Sequence, residues 1–111
     1  MSYDIEVLVS KTIHEDNYTS NVGIMYHEAF HKVKEGELNY YPNFMEAMNA
    51  GRKEALKTIS LILKELTSNA DYYRNMEPAN GWGNYDGAVK FLSDTLHALI
   101  HTDDSYVRIS C

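Results

Sequence analysis

Two histidines one helical turn apart enclose a glutamate in the first third of the chain. Residues 27–31 are His-Glu-Ala-Phe-His, the H-E-x-x-H pattern in which zinc proteases bind the metal with both imidazoles and activate its water with the carboxylate. His97 and His101 have the same spacing. On a helical wheel, however, His27 and His31 fall opposite the apolar stripe, whereas metal catalysis needs a dry, shaped cavity. We therefore predict no metal and no cofactor, and keep a zinc-dependent hydrolase using His27, Glu28 and His31 as the alternative.

The only tryptophan of the chain lies in a glycine-rich turn. Trp82 stands between Gly81 and Gly83, in a run that spells Asn-Gly-Trp-Gly-Asn-Tyr over residues 80–85. Glycine adopts backbone angles that are closed to other residues. The turn can therefore fix a large amphipathic ring that packs on the core and offers its indole N–H to a partner. This pattern predicts either a turn that stabilises the fold or the floor of a binding surface.

Length and charge restrict the class of protein. The chain has 111 residues and a net charge of −6, which suits one globular domain over residues 1–111. Direct binding to nucleic acid is disfavoured, because contact with phosphates needs a basic face. The first residues lack a basic segment followed by an apolar run, and no apolar stretch approaches membrane-spanning length. We expect a cytoplasmic protein that does not contact a membrane.

The periodicity of apolar residues predicts an α+β fold. The segments around Ile5 and Val107 alternate with period two, which is typical of strands. The long interior has the three- and four-residue spacing of amphipathic helices. Predicted helices cover residues 22–33, 44–48, 52–66 and 69–76, with a last helix that begins after an Asn84 cap.

The predicted order is β-α-α-α-β, a single domain with a helical core and a small two-stranded sheet built from the two termini. In this scheme Asn17 and Thr19 are available to cap the first helix. Two strands alone leave exposed edges, which favour pairing with another chain. We therefore also expect a homodimer.

Two short segments, together with Tyr3-Asp4-Ile5 at the start of the chain, carry a resemblance to a known family. The first is Asn17-x-Thr19-x-Asn21, and the second is Pro78-x-Asn80-Gly-Trp-Gly followed by Tyr85. With these segments the chain resembles a family of small, mostly uncharacterised proteins of tailed bacteriophages and prophages. The resemblance implies a phage or mobile-element accessory protein without an established chemistry.

The shared residues also suggest a binding site. If the start of the first helix folds against the tryptophan turn, the polar and aromatic side chains form one pocket or patch. The candidate binding residues are Asn17, Thr19, Asn21, Asn80, Trp82 and Tyr85. As caps and turn formers, the same residues could instead serve the fold alone.

The preferred hypothesis is a non-enzymatic accessory protein that binds a host protein and inhibits a bacterial defence system, as anti-CRISPR proteins do. The small size, the acidic surface, the many tyrosines and the lack of a recognisable catalytic set motivate it. Two alternatives stay open. One is the zinc-dependent hydrolase, and the other is a sponge that captures a small, nucleotide-like signal near Trp82.

Overall fold

The sheet has three antiparallel strands, one more than predicted. In the computed structural model, which describes residues 2–111, β1 (Ser2–Leu8) lies at the centre of the order β2-β1-β3. Its neighbours are β2 (Thr12–Thr19) and β3 (Tyr106–Ser110). The α+β class and the two terminal strands are confirmed. The two-stranded sheet and the order β-α-α-α-β are wrong, because β2 follows β1 directly.

Strand β2 escaped prediction because its inward positions are not apolar. In the register, His14, Asp16 and Tyr18 lie opposite the buried side chains of β1, so no hydrophobic alternation marks the strand. An edge strand is only partly covered and tolerates such residues. As a consequence Asn17 lies within β2 and caps no helix, while Thr19 accepts the backbone N–H of Asn21 at 3.3 Å and caps a short 3₁₀ turn.

Five α-helices connect β2 to β3. They are α1 (Gly23–Val33), α2 (Phe44–Asn49), α3 (Arg52–Ser68), α4 (Ala70–Arg74) and α5 (Tyr85–Ile100), and short 3₁₀ turns cover Ser20–Val22 and Gly36–Tyr40. Each predicted helix is present, with ends that differ from the prediction by a few residues. Asn84 caps α5 as expected, since its side chain accepts the Gly87 N–H at 2.7 Å. Within residues 2–111, no helix combines the length and the apolar character that crossing a bilayer requires.

The helices cover one face of the sheet. Tyr3, Ile5 and Val7 of β1 are buried on that face, and α5 packs on both β1 and β2. Helix α3 contacts α1, α2 and α5 and buries Ile59 and Ile62 among them. The other face of the sheet, which carries Asp4, Glu6 and Glu15, is not covered by any described helix.

The outer edge of β3 is closed by a side chain of α2. The Asn49 carboxamide donates to the Ile109 carbonyl and accepts the Ile109 N–H, both at 2.9 Å. This two-point contact occupies a backbone position that would otherwise be open to another strand. The edge of β3 is therefore blocked at Ile109, which weakens one of the reasons to expect a homodimer.

Candidate functional site

A cleft lies between the end of β2 and the tryptophan turn. Its volume is about 750 Å³, within the usual range for small-molecule sites. One wall comes from β2 and the 3₁₀ turn after it, and the other from the loop before α5. The lining residues are Ser2, Asn17, Tyr18, Thr19, Asn21, Asn80, Gly81, Trp82 and Gly83.

The turn is held so that its tryptophan points away from the core. Asn80 Oδ1 accepts the Trp82 backbone N–H at 2.9 Å, a local bond typical of Asn in turns. Gly81 and Gly83 have φ angles of 76° and 95°, which glycine alone adopts readily. The Trp82 side chain is 68% exposed. The expectation that this ring packs on the core is wrong.

Tyr18 joins the two walls of the cleft. Its hydroxyl oxygen accepts the Asn84 backbone N–H at 3.1 Å, so the end of β2 is bonded to the start of α5. Gly87 lies directly against this hydroxyl, and a Cβ atom at position 87 would collide with it. The Tyr18 ring also lies 6.0 Å from that of Phe91. Tyr18 was missed from the sequence, because its role follows only once β2 is known to be a strand.

The structure brings five of the six predicted binding residues together. Asn17, Thr19, Asn21, Asn80 and Trp82 all line the cleft. Besides Tyr18, the sequence also did not indicate Ser2 as a lining residue. Ser2 pairs with Thr19 in the register of β1 and β2.

Tyr85 does not line the cleft, and its assignment to the binding site is wrong. The side chain is buried, with its hydroxyl donating to the Leu66 carbonyl at 2.6 Å. Its backbone N–H donates to Glu77 Oε1 at 3.1 Å. In the first turn of α5 this residue faces α3, so it serves the core and the helix start.

The chemistry of the cleft is neutral and polar. None of its nine lining residues, all of which the structure describes, is an acid or a base at neutral pH. Carboxamides of Asn17, Asn21 and Asn80 provide both donors and acceptors. The Trp82 indole adds a flat apolar face and one N–H donor, which makes no hydrogen bond to the described residues. These nine residues do not include a nucleophile paired with a base. Their donors, acceptors and apolar ring are suited to binding another molecule.

The H-E-x-x-H segment lies elsewhere, on the exposed side of α1. The His27 and His31 rings are 4.4 Å apart between centroids, and both residues are exposed. Glu28 is turned away to other partners: its Oε1 accepts the Tyr72 hydroxyl at 2.7 Å and lies 3.7 Å from Lys32 Nζ. The carboxylate is therefore occupied by a structural contact between α1 and α4.

The surroundings of His31 also disfavour a positive charge on its imidazole. Partial desolvation of the ring lowers the pKa of His31, although the residue is exposed, and the neighbouring His27 and Lys34 lower it further, while the Glu28 carboxylate partly offsets them. A catalytic zinc site ordinarily uses three protein ligands. Within residues 2–111, no three His, Cys, Asp or Glu side chains come together in a way that could hold a metal ion, and this includes the His97–His101 pair.

No protein-family model, curated protein or solved structure matches this chain. The resemblance to phage proteins stays a prediction. Its two segments nevertheless meet in the fold, where Asn17-x-Thr19-x-Asn21 forms one wall of the cleft and the tryptophan turn forms the other.

Proposed function

We propose that this protein acts by binding rather than by catalysis, and that the Trp82 cleft is the surface with which it holds a protein of a bacterial host. The observation that carries this proposal is the exposure of Trp82. A tryptophan that is 68% exposed, on a turn that two glycines permit and an Asn80 bond holds, leaves a large apolar face in water. Tryptophan is one of the residue types enriched among the anchors of protein interfaces.

The surroundings of Trp82 support the same role. Neutral carboxamides around an aromatic anchor provide hydrogen bonds without the cost of burying charge. Since the Asn80 bond and the close packing of Gly83 against Thr19 hold the turn in advance, a partner has less of it to order. Both properties favour binding of a partner protein at this surface.

The wider role that we propose is that of a phage or prophage accessory protein in the host cytoplasm, which blocks a defence system as anti-CRISPR proteins do. The resemblance of the two cleft-forming segments, the small size and the net charge of −6 support it. An acidic protein is attracted to the basic surfaces by which defence proteins hold nucleic acid.

A small-ligand sponge is the second candidate, favoured by the cleft volume of about 750 Å³. A flat base could stack on Trp82 while a carboxamide bonds its edge. The cleft lining offers no lysine or arginine for a phosphate, so the base would supply most of the affinity. No comparable observation favours the zinc-dependent hydrolase, because Glu28 is engaged by Tyr72 and Lys32.

The test compares capture from a bacterial lysate by three immobilised forms of the protein. The forms are the wild type, Trp82→Ala, and Tyr40→Ala as the matched control, since Tyr40 is 85% exposed and lies outside the cleft. We expect one host protein to be recovered by the wild type and by Tyr40→Ala but not by Trp82→Ala. That protein is then purified and the complex reconstituted.

Two results would count against the proposal. Recovery of the same proteins by all three forms would show that the cleft is not the contact surface. Quenching of Trp82 fluorescence by a nucleotide or nucleoside panel, without any host protein captured, would favour the small-ligand sponge.

A further inference from the structure

We infer that the partner enters as an extended, positively charged segment, which places an apolar side chain on Trp82 and a lysine or arginine on the open face of the sheet. This inference rests on the proposed binding role of the Trp82 cleft and adds the chemistry of what binds there. The evidence for this segment is the uncovered face of the sheet next to the cleft, which carries Asp4, Glu6 and Glu15.

A second cavity adjoins the cleft on that face. Its volume is about 500 Å³, and its lining residues are Asp4, Ile5, Glu6, Glu15, Asp16 and Asn17. Asn17 lines both the cavity and the cleft. The two hollows therefore adjoin at Asn17, with Trp82 lining the one and carboxylates lining the other.

The outward side chains of this face are mostly acidic. In the register, Asp4 lies opposite Asn17 and Glu6 lies opposite Glu15, so the four side chains share one face. Asp4 and Glu15 are diagonal neighbours, which places them about 7–8 Å apart. A single guanidinium or ammonium group between them would contact both.

The negative charge of this face is only partly balanced within the protein. Glu6 is bonded by Arg108 through Nε at 3.0 Å and Nη2 at 2.8 Å, and by the Thr12 hydroxyl at 2.9 Å. Asp4 and Glu15 take part in no ion pair among the described residues. Glu15 also faces the like charge of Glu6 directly across the strands, an arrangement that destabilises a sheet. A cation from a partner would reduce the repulsion between these two carboxylates.

The geometry sets the spacing within the bound segment. Glu15 lies two residues before Asn17 along β2, which is about 7 Å at the rise of a strand. From Asn17, where the cleft meets the cavity, an extended peptide reaches Glu15 in about two residues, and we allow up to about two more for the reach to Trp82. The expected recognition element is thus an apolar or aromatic residue and a basic residue separated by that interval.

The test is selection of a random decapeptide display library on the folded wild-type protein. We expect enriched peptides to carry a lysine or arginine two to four residues from an apolar or aromatic residue. Synthetic versions should bind about threefold to tenfold more weakly when the arginine is replaced by its neutral isostere citrulline. Raising the salt concentration should shrink this difference, because both carboxylates are exposed.

Two matched double variants distinguish the effect of carboxylates on the sheet face from the effect of the overall net charge. Asp4→Asn combined with Glu15→Gln should abolish the preference for arginine over citrulline. Glu37→Gln combined with Asp103→Asn removes the same charge from exposed positions elsewhere and should keep the preference. Trp82→Ala should weaken binding of both peptides.

Several outcomes would overturn the inference. These are selection of neutral or acidic peptides, selection of no peptide, or an arginine preference that survives in the double variant. A sedimentation experiment in which the wild type dimerises and the Asp4→Asn, Glu15→Gln variant does not would identify a second copy of this chain as the occupant. A host protein captured through Trp82 with equal affinity for the wild type and the double variant would contradict this inference alone and leave the proposed function standing.

Discussion

Gly83 and Thr19 lie in direct contact, and a Cβ atom at position 83 would come within 2.5 Å of the Thr19 Cγ2 atom. It would also come within 3.0 Å of Val22 Cγ1. Only a residue without a side chain lets the tryptophan turn approach the end of β2 this closely. The contact explains why two segments more than sixty residues apart in the chain form one cleft.

The variant Gly83→Ala should therefore be destabilised and lose the cleft geometry. The collision with Thr19 and the positive φ of 95° together should cost about 2–4 kcal/mol of unfolding free energy. Urea denaturation measures this change. Gly81→Ala is the control, since its φ is 76° but nothing lies within 4 Å of its Cβ position, so it should lose only about 1–2 kcal/mol. Equal losses for the two variants would show that Thr19 yields to the added methyl group.

The Asn49 carboxamide should stabilise the protein by closing the edge of β3. Asn49→Ala removes both hydrogen bonds to Ile109 and should lower the free energy of unfolding by about 1–2 kcal/mol. The exposed edge should also make the variant more prone to associate. Urea denaturation and sedimentation check these outcomes against Asn39→Ala, an exposed asparagine in the second 3₁₀ turn. A variant as stable and as monodisperse as this control would contradict the edge-closing role.

His31 should titrate below its ordinary pKa of 6.5, because partial desolvation of its ring, His27 and Lys34 all disfavour its charged form. His27→Gln should raise the pKa of His31 by removing an imidazole that disfavours its charged form. Glu28→Gln should lower it further by removing the carboxylate that favours the charge. NMR titration of the imidazole signals measures the pKa of His31 in the wild type and in both variants. A His31 pKa that does not move in either variant would contradict this account of the α1 surface.

The same shift fixes the sign of a pH effect on stability. Above pH 6.5 His31 is mostly neutral in both the folded and the unfolded chain. As the pH falls below 6.5, the unfolded chain gains the proton first, so the contribution of His31 to stability decreases. The decrease ends once the pH has passed below the folded-state pKa. His31→Gln should remove this part of the pH dependence.

The sequence predicted those elements whose burial follows a regular period. Helix α3 was expected to begin at Arg52 and does so, and Asn84 caps α5 as its residue type indicated. Strand β2 was not expected, because its inward side chains are His14, Asp16 and Tyr18. Its edge position, and not its own composition, makes it a strand.

The site was partly predictable for the same physical reason. Asn, Gly and Trp in close succession mark a turn that presents a side chain, and the five predicted residues that line the cleft belong to such polar segments. Tyr85 follows directly after them in sequence, but helix α5 begins there and rotates it toward Leu66. The role of Tyr18 depends on a contact with Asn84, which is distant in sequence and leaves no local pattern.

The most direct measurement of the central claim is the affinity of the purified host partner for Trp82→Ala, determined by calorimetry beside the wild type and Tyr40→Ala. If the cleft is the contact surface, loss of the Trp82 ring should weaken binding by about thirtyfold or more, as expected for an interface anchor, and Tyr40→Ala should bind like the wild type. Equal affinities for all three forms, with Trp82→Ala as stable as the wild type, would contradict the claim that this protein works through its exposed tryptophan.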